Sequence, residues 1–209
     1  MMRPAGLVMA LLGIALLAVS WPSDASAELD VRNYKPGKPV AGFALADHRK
    51  RPFTPESFKG KWTMVLLGYT HCPDVCPFTL NNLAVVHEQL KSQLTPDSLP
   101  QIVFVGVDPD RDAAVMAGYI THFDPDFLGV TGEWPQIRIF VEAVEGFARL
   151  DKKKPDDEGY LVRHSSRVSI IDPDGRMVAQ VNPPLPPAET AMFVAGLMRA
   201  HRKESALAR

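Results

Sequence analysis

Residues 68–77 read GYTHCPDVCP, and this stretch contains both cysteines of the 209-residue chain. The residues before it, 62–67, are mostly β-formers, and the residues after it place Leu80, Leu83 and Leu90 at helical spacing. The sequence therefore predicts a buried strand, a tight turn that carries Cys72 and Cys76, and a helix over about 77–94.

The turn itself favours reactive cysteines. Proline suits the first position of a helix, so Pro77 predicts that Cys76 is the N-cap residue. The free amides and the positive dipole end of that helix stabilise a thiolate relative to a thiol. Sulfur atoms four positions apart in such a turn can form a disulfide between Cys72 and Cys76, or bind one metal ion together.

Composition excludes several classes of protein. The chain is 46% hydrophobic and 22% charged, which suits one globular domain with a substantial core. Its formal net charge is only −1, so nothing indicates a nucleic-acid-binding protein. We expect a monomer.

The first 27 residues resemble an export signal. Arg3 is followed by the apolar segment 7–19, and residues 25–27 read Ala-Ser-Ala, which is a signal-peptidase pattern. We therefore predict export to the periplasm and cleavage before Glu28, with an uncleaved anchor in the inner membrane as the alternative.

In an oxidising compartment two cysteines often form a structural disulfide, but the loop that Cys72 and Cys76 would close is so short that it restrains the unfolded chain very little. Their place at a strand-to-helix turn favours a functional pair instead.

The remaining elements predict an α/β fold. Residues 28–42 read as an extended lead-in, 43–53 as a small hairpin and 102–107 as a second buried strand. Helices are predicted over about 112–121 and over 134–144, and residues 151–159 read as a charged surface loop. A hairpin over 167–181 and a helix over 187–200 follow, and 201–209 read as a flexible tail. This order predicts a thioredoxin-like three-layer domain over 43–200, with a central mixed sheet and an N-terminal β-hairpin extension. The carboxyl ends of its parallel strands bring Cys72, Cys76 and Asp108 to one edge.

Three blocks of the sequence resemble the Sco/SenC family of copper-binding proteins. The first is the stretch 68–77, the second is Val-Asp-Pro-Asp-Arg-Asp at 107–112, and the third is Tyr-Leu-Val-Arg-His-Ser at 160–165 with Asp-Pro-Asp-Gly at 172–175. The resemblance covers about residues 38–200. It implies that Cys72, Cys76 and His164 bind copper, as Cu(I) or Cu(II). It also implies a role in assembling the dinuclear copper centre of cytochrome c oxidase.

The residues themselves give a mixed assessment of this site. Two thiolates and one imidazole suit Cu(I), tolerate Cu(II) and also suit Zn(II). His164 stands out because it precedes a core strand at the sheet edge, but its position alone leaves the third ligand open, and the resemblance is what selects it. His71 is the competitor beside Cys72, although adjacent side chains commonly point apart. His87, in the middle of a helix, is expected on a solvated face. Asp108 is expected either to support the site, by orienting His164, modulating the thiolates or offering a distant axial oxygen to Cu(II), or to have a structural role. The structural alternatives are capping the following helix together with Asp112 and pairing with Arg111.

Two main functions remain open from the sequence. One is a copper metallochaperone that serves the copper-receiving subunit of cytochrome c oxidase. The other is a thiol-disulfide oxidoreductase that uses Cys72 and Cys76 as its catalytic redox pair to reduce the cysteines of that subunit. A thioredoxin-like thiol reductant and another copper chaperone are the further partners we expect. A thiol peroxidase is disfavoured because both cysteines lie in one loop, and a blue-copper protein because such sites use one cysteine and two histidines.

Overall fold

The computed structural model describes residues 28–154, 157 and 159–207. The predicted export signal therefore lies outside the described residues. Among the described residues, no helix is both long enough and apolar enough to cross a membrane.

Strands and helices alternate along the described chain. The strands are β1 (Val31–Pro39), β2 (Leu45–Asp47), β3 (Pro52–Phe53), β4 (Thr63–Gly68), β5 (Gln101–Gly106), β6 (Leu128–Thr131), β7 (Ala148–Leu150), β8 (Val162–His164), β9 (Val168–Ile171) and β10 (Arg176–Val181). The α-helices are α1 (Val75–Lys91), α2 (Pro109–Thr121), α3 (Trp134–Ala143) and α4 (Pro187–Leu207).

Eight of the described strands form one mixed sheet in the order β1-β10-β9-β4-β5-β6-β2-β3. The central strands β4, β5 and β6 are parallel, and β9 runs antiparallel to β4. The hairpin β2–β3 adds to the sheet through β6. This is the thioredoxin-like arrangement with an N-terminal β-hairpin extension that the sequence predicts.

Strand β4 is buried on both faces, and its side chains alternate between two cores. Met64 and Leu66 join the core that α1, α2 and α4 cover, whereas Val65 and Leu67 join the core that α3 covers. The alternation follows from the two-residue period of a strand. It explains the continuous apolar run at 64–67, since neither face of this strand meets water.

Three element boundaries differ from the sequence predictions. The lead-in contains a nine-residue edge strand, β1, paired with β10. Helix α2 begins at Pro109 rather than near Asp112, because the first turn of a helix has no need of the amide that proline lacks. Helix α4 continues to Leu207, through most of the segment predicted to be a flexible tail.

A second pair of strands carries the candidate histidine to the cysteine loop. Strands β7 and β8 are antiparallel, and Ala148 pairs with His164. The charged loop between them begins at Asp151, as the sequence predicts. His164 is the last residue of β8, and three residues separate it from the start of β9.

Candidate metal centre

The cysteine loop follows directly from the end of β4. The amide of Cys72 donates to the carbonyl oxygen of Tyr69 at 3.1 Å, which closes the turn. Asp74 is the N-cap of α1, and its carbonyl accepts the amide of Phe78 at 3.2 Å. The prediction that Cys76 is the N-cap is therefore wrong, since Cys76 lies within the first helical turn. Pro77 permits this because amides of the first turn lack helical acceptors anyway.

The buried position of Cys76 depends on a glycine at the end of β4. A Cβ atom on Gly68 would lie 2.9 Å from the Cys76 sulfur and 2.4 Å from the Phe104 ring. Both distances are shorter than real Cβ contacts, so any side chain at position 68 would displace these groups. Glycine therefore allows the first turn of α1 to pack against the strand.

His164 faces Cys76 with one nitrogen and the backbone with the other. Its Nδ1 lies 2.9 Å from the carbonyl oxygen of Ser165 and donates to it, because a carbonyl can only accept. Its Nε2 lies 3.6 Å from the Cys76 sulfur. The Tyr69 ring packs edge-on against the imidazole, with centroids 5.8 Å apart. Nε2 is therefore the ring nitrogen that faces the cysteines.

The structure thus brings the three predicted ligands together. The sulfur atoms of Cys72 and Cys76 and a ring nitrogen of His164 all lie within 4.8 Å of one another. His71, the sequence competitor, is exposed and its Nδ1 lies 3.0 Å from the Thr70 hydroxyl. Both cysteines are free thiols in this structure, so the disulfide between them stays a prediction.

The two cysteines differ in exposure and in protonation. Cys76 is 1% exposed, whereas Cys72 is partly exposed. The hydrogen bond from Cys76 lowers the pKa of Cys72 to about 4 against the opposing effect of burial, and His164 and backbone amides assist. The same hydrogen bond, burial and the charge of Cys72 raise the pKa of Cys76. At neutral pH the pair is therefore one thiolate, on Cys72, and one thiol, on Cys76.

Asp108 is fully buried, and its carboxylate oxygens accept hydrogen bonds from Arg111 and Tyr160. Its Oδ2 accepts from the Arg111 guanidinium at 2.5 Å, and its Oδ1 accepts from the Tyr160 hydroxyl at 2.5 Å. The Arg111 guanidinium also stacks over the Tyr160 ring at 3.8 Å. The pairing with Arg111 that the sequence offered as one structural alternative is therefore present. A role in orienting His164 stays a prediction.

Asp112 supports the cysteine loop, a role that sequence reasoning missed because it considered Asp112 only as a cap of the following helix. Its Oδ1 accepts the amide and the hydroxyl of Thr70 at 2.7 and 2.8 Å, and its Oδ2 accepts the amide of Asp108 at 2.9 Å. Burial raises its pKa to about 6, although these hydrogen bonds oppose the shift. The available signal was its place four residues after Asp108 in the first turn of α2, where carboxylates accept free amides.

The prediction that His87 lies on a solvated face is wrong. The residue is 2% exposed, and its Nδ1 lies 2.9 Å from the Asp124 carboxylate. Its ring also packs against Phe127. Helical spacing does place His87 on the buried side, four positions after Leu83 and three before Leu90. Its acidic partner, however, comes from a distant loop that local spacing does not reveal.

Comparisons with known proteins agree with this geometry. A model of the SCO1/SenC family matches residues 33–199. The chain belongs to the SCO1/SenC family. The family assignment rests on nearly the whole described chain, including all three candidate ligands.

Individual relatives give the extent of the similarity. The chain is 33% identical over 173 residues to the mitochondrial protein SCO1 homolog of Homo sapiens, a match that covers 81% of this chain and 56% of that protein. It is 37% identical over 142 residues to the mitochondrial protein SCO2 homolog of Mus musculus, covering 64% and 52%. The chain thus spans about half the length of the curated relatives it matches.

A solved structure shows the same fold. The structure of Bradyrhizobium japonicum ScoI with copper bound superposes with a TM-score of 0.65 and 32% sequence identity. The match covers 75% of this chain and 98% of that one. The thioredoxin-like fold predicted from the sequence is thereby confirmed.

Proposed function

We propose that this protein is an exported copper metallochaperone that assists assembly of the dinuclear copper centre of cytochrome c oxidase. The observation that carries the proposal is the convergence of Cys72, Cys76 and His164 within 4.8 Å at the edge of the sheet. Family membership and a copper-bound relative support copper as the cargo.

The donor set fits copper chemically. Thiolates and imidazole are the protein ligands that Cu(I) prefers, and they also accommodate Cu(II). Cys72 is already a thiolate at neutral pH and His164 directs its Nε2 at the cysteines, whereas Cys76 must lose its proton when the ion binds. Three protein ligands hold the ion without enclosing it, because Cys72 is partly exposed. An incoming thiolate of an acceptor can reach the ion from that side.

The same geometry supports a second candidate function, a thiol-disulfide oxidoreductase that reduces the acceptor's cysteines. The supporting observation is the contrast between a thiolate at Cys72 and a buried thiol at Cys76. A thiolate is the attacking species in disulfide exchange, and a neighbouring thiol can release the mixed disulfide. Exchange needs no third ligand, so His164 separates the two functions.

The test uses the copper-receiving domain of the oxidase as the acceptor, with copper transfer and disulfide reduction measured side by side. We expect His164→Ala to lose most copper transfer and to keep thiol-disulfide exchange. The matched control His71→Ala should keep both activities, since that side chain is exposed. Copper transfer that is intact in His164→Ala and follows only after this protein has reduced the acceptor's cysteines would replace the chaperone with the oxidoreductase.

Two further parts of the proposal concern the surroundings of the protein. A disulfide sulfur is a poor copper donor, and an oxidising compartment favours the disulfide, so a thioredoxin-like thiol reductant must keep the pair reduced. Another copper chaperone is the expected donor of the ion.

Residues 1–27 direct export to the periplasm, and N-terminal sequencing should find Glu28 first. A mature protein that begins at Met1 or Met2 would show an anchored form instead.

A further inference from the structure

A second group of metal-ligating side chains lies at the opposite end of the sheet from the cysteines. It consists of Asp172 and Asp174, in the turn between β9 and β10, and His201, on α4, with one ligand atom of each within 4.8 Å of the others. Thr63, at the start of β4, pairs with Ile171, whereas the cysteine loop follows the end of β4. The length of a central strand therefore separates the two groups.

Asp172 is the buried member of this group. It is 5% exposed, and its Oδ1 accepts the amides of Asp174 and Arg176 at 3.0 and 2.9 Å. The described residues offer its Oδ2 no hydrogen bond. This oxygen is not fully enclosed, since the Tyr119 hydroxyl is the only fully buried side-chain oxygen or nitrogen without a partner among the described residues. Asp172 lines a cavity of about 350 Å³, so a ligand can reach its carboxylate from there.

His201 and Glu204 line the same cavity from α4. They are three positions apart, which places both side chains on one face of the helix, as in the Glu-x-x-His ligand pairs of helical metal proteins. The Nε2 of His201 lies 4.0 Å from the Asp174 carboxylate, and the Trp62 ring packs edge-on against the imidazole. The imidazole is thereby held beside the turn.

Another cluster of one histidine and two aspartates differs from this one in the cations that lie near its carboxylates. His87, Asp124 and Asp126 also offer ligand atoms within 4.8 Å, but Lys91 already forms ion pairs with both carboxylates, at 3.5 and 2.9 Å. Among the described residues, only His201 comes within ion-pair distance of Asp172 or Asp174. Lys59 lies nearby, yet its ammonium donates to the backbone carbonyl of Asp174. Lys35 lines the cavity as well.

We propose that Asp172, Asp174 and His201 form a second metal site, with Glu204 as a further ligand in reach. Carboxylate oxygens and an imidazole nitrogen suit borderline divalent ions such as Zn(II) and Cu(II), and they suit Cu(I) poorly. The site is therefore complementary to the thiolate site, and it is independent of the copper-chaperone function.

The test titrates the untagged full chain, carrying Cys72→Ser and Cys76→Ser, with Zn(II) in a calorimeter. We expect one ion per chain, and binding weakened at least about ten-fold by His201→Gln. Asp172→Asn should weaken it as well, because asparagine keeps the oxygen that accepts the two amides and removes the charge. The control His122→Gln, at an exposed histidine of the chain, should leave the affinity unchanged.

A spectroscopic measurement identifies the imidazole ligand directly, so the conclusion does not depend on how stably each variant folds. Cu(II) bound to the same cysteine-free chain should give an electron paramagnetic resonance spectrum with coupling to one imidazole nitrogen. That coupling should vanish in His201→Gln. Equal Zn(II) affinity in His201→Gln and His122→Gln, or no binding by the cysteine-free parent, would overturn the proposal.

Discussion

At the scale of single residues, the site depends on which of its two cysteines carries a proton. Cys72 and Cys76 are chemically identical, but the buried Cys76 keeps its proton and donates a hydrogen bond to the partly exposed Cys72. His164 directs its Nε2 at the cysteines because its Nδ1 donates to a carbonyl oxygen. In the proposed copper site, Cys76 must lose its proton before its sulfur binds the ion.

This inequality predicts the alkylation rate of Cys72 in the reduced, metal-free protein. A pKa lowered to about 4 keeps Cys72 a thiolate throughout pH 6–8, so its rate with iodoacetamide should be constant over that range. In Cys76→Ala the hydrogen bond that lowers this pKa is lost, and the rate should rise with pH over the same range. Peptide mass spectrometry follows the label. Identical pH profiles in the two proteins would show that Cys76 does not control the Cys72 thiolate.

At the scale of secondary-structure elements, the junction of β4 with α1 decides the geometry of the site. The sequence predicted this junction well, because an apolar strand, a proline-containing turn and an amphipathic helix each have local signals. It misplaced the N-cap by two residues, since proline is tolerated anywhere in the first turn. It missed the burial of His87 and the support from Asp112, because both depend on partners 37 and 42 residues away.

The junction predicts a specific sensitivity to a methyl group at Gly68. Gly68→Ala should lower the free energy of unfolding by about 1–3 kcal/mol, because the Cβ would press on Phe104 and on the Cys76 sulfur. It should also weaken copper binding, because the sulfur must move. Gly118→Ala is the matched control, since nothing lies within 4 Å of its Cβ and alanine favours a helix by up to about 1 kcal/mol. Denaturant unfolding gives the free energy of unfolding of the two variants, and equal changes in Gly68→Ala and Gly118→Ala would refute the close packing at Gly68.

At the scale of the whole molecule, the long edge strand β1 ties the N-terminal segment to the sheet. The Tyr34 hydroxyl lies 2.7 Å from the side-chain oxygen of Gln180, inside β10, and 2.9 Å from Glu145. The sequence predicted only an extended lead-in here, because the segment contains prolines and a glycine and alternates poorly. The pairing with β10 supplies the order that local propensity lacks.

This attachment predicts that Tyr34→Phe lowers the free energy of unfolding by about 1–2 kcal/mol, because the buried oxygen of Gln180 loses a donor. Tyr119→Phe is the matched control. The Tyr119 hydroxyl is buried and has no hydrogen-bond partner in the described chain, so its removal should be neutral or stabilising. Thermal and denaturant unfolding give the comparison. A larger loss in Tyr119→Phe than in Tyr34→Phe would contradict this assignment of partners.

The central claim is that copper binds to the dithiol form of Cys72 and Cys76 together with His164. The most direct measurement counts Cu(I) per chain in the fully oxidised protein and again after reduction, with free thiols determined in parallel. If only the dithiol binds, the apparent affinity falls in proportion to the dithiol fraction. We predict one Cu(I) per chain after reduction and none at this site before it, in a protein that stays folded throughout. Equal copper in both states would mean that the cysteines form a structural disulfide and that copper binds elsewhere.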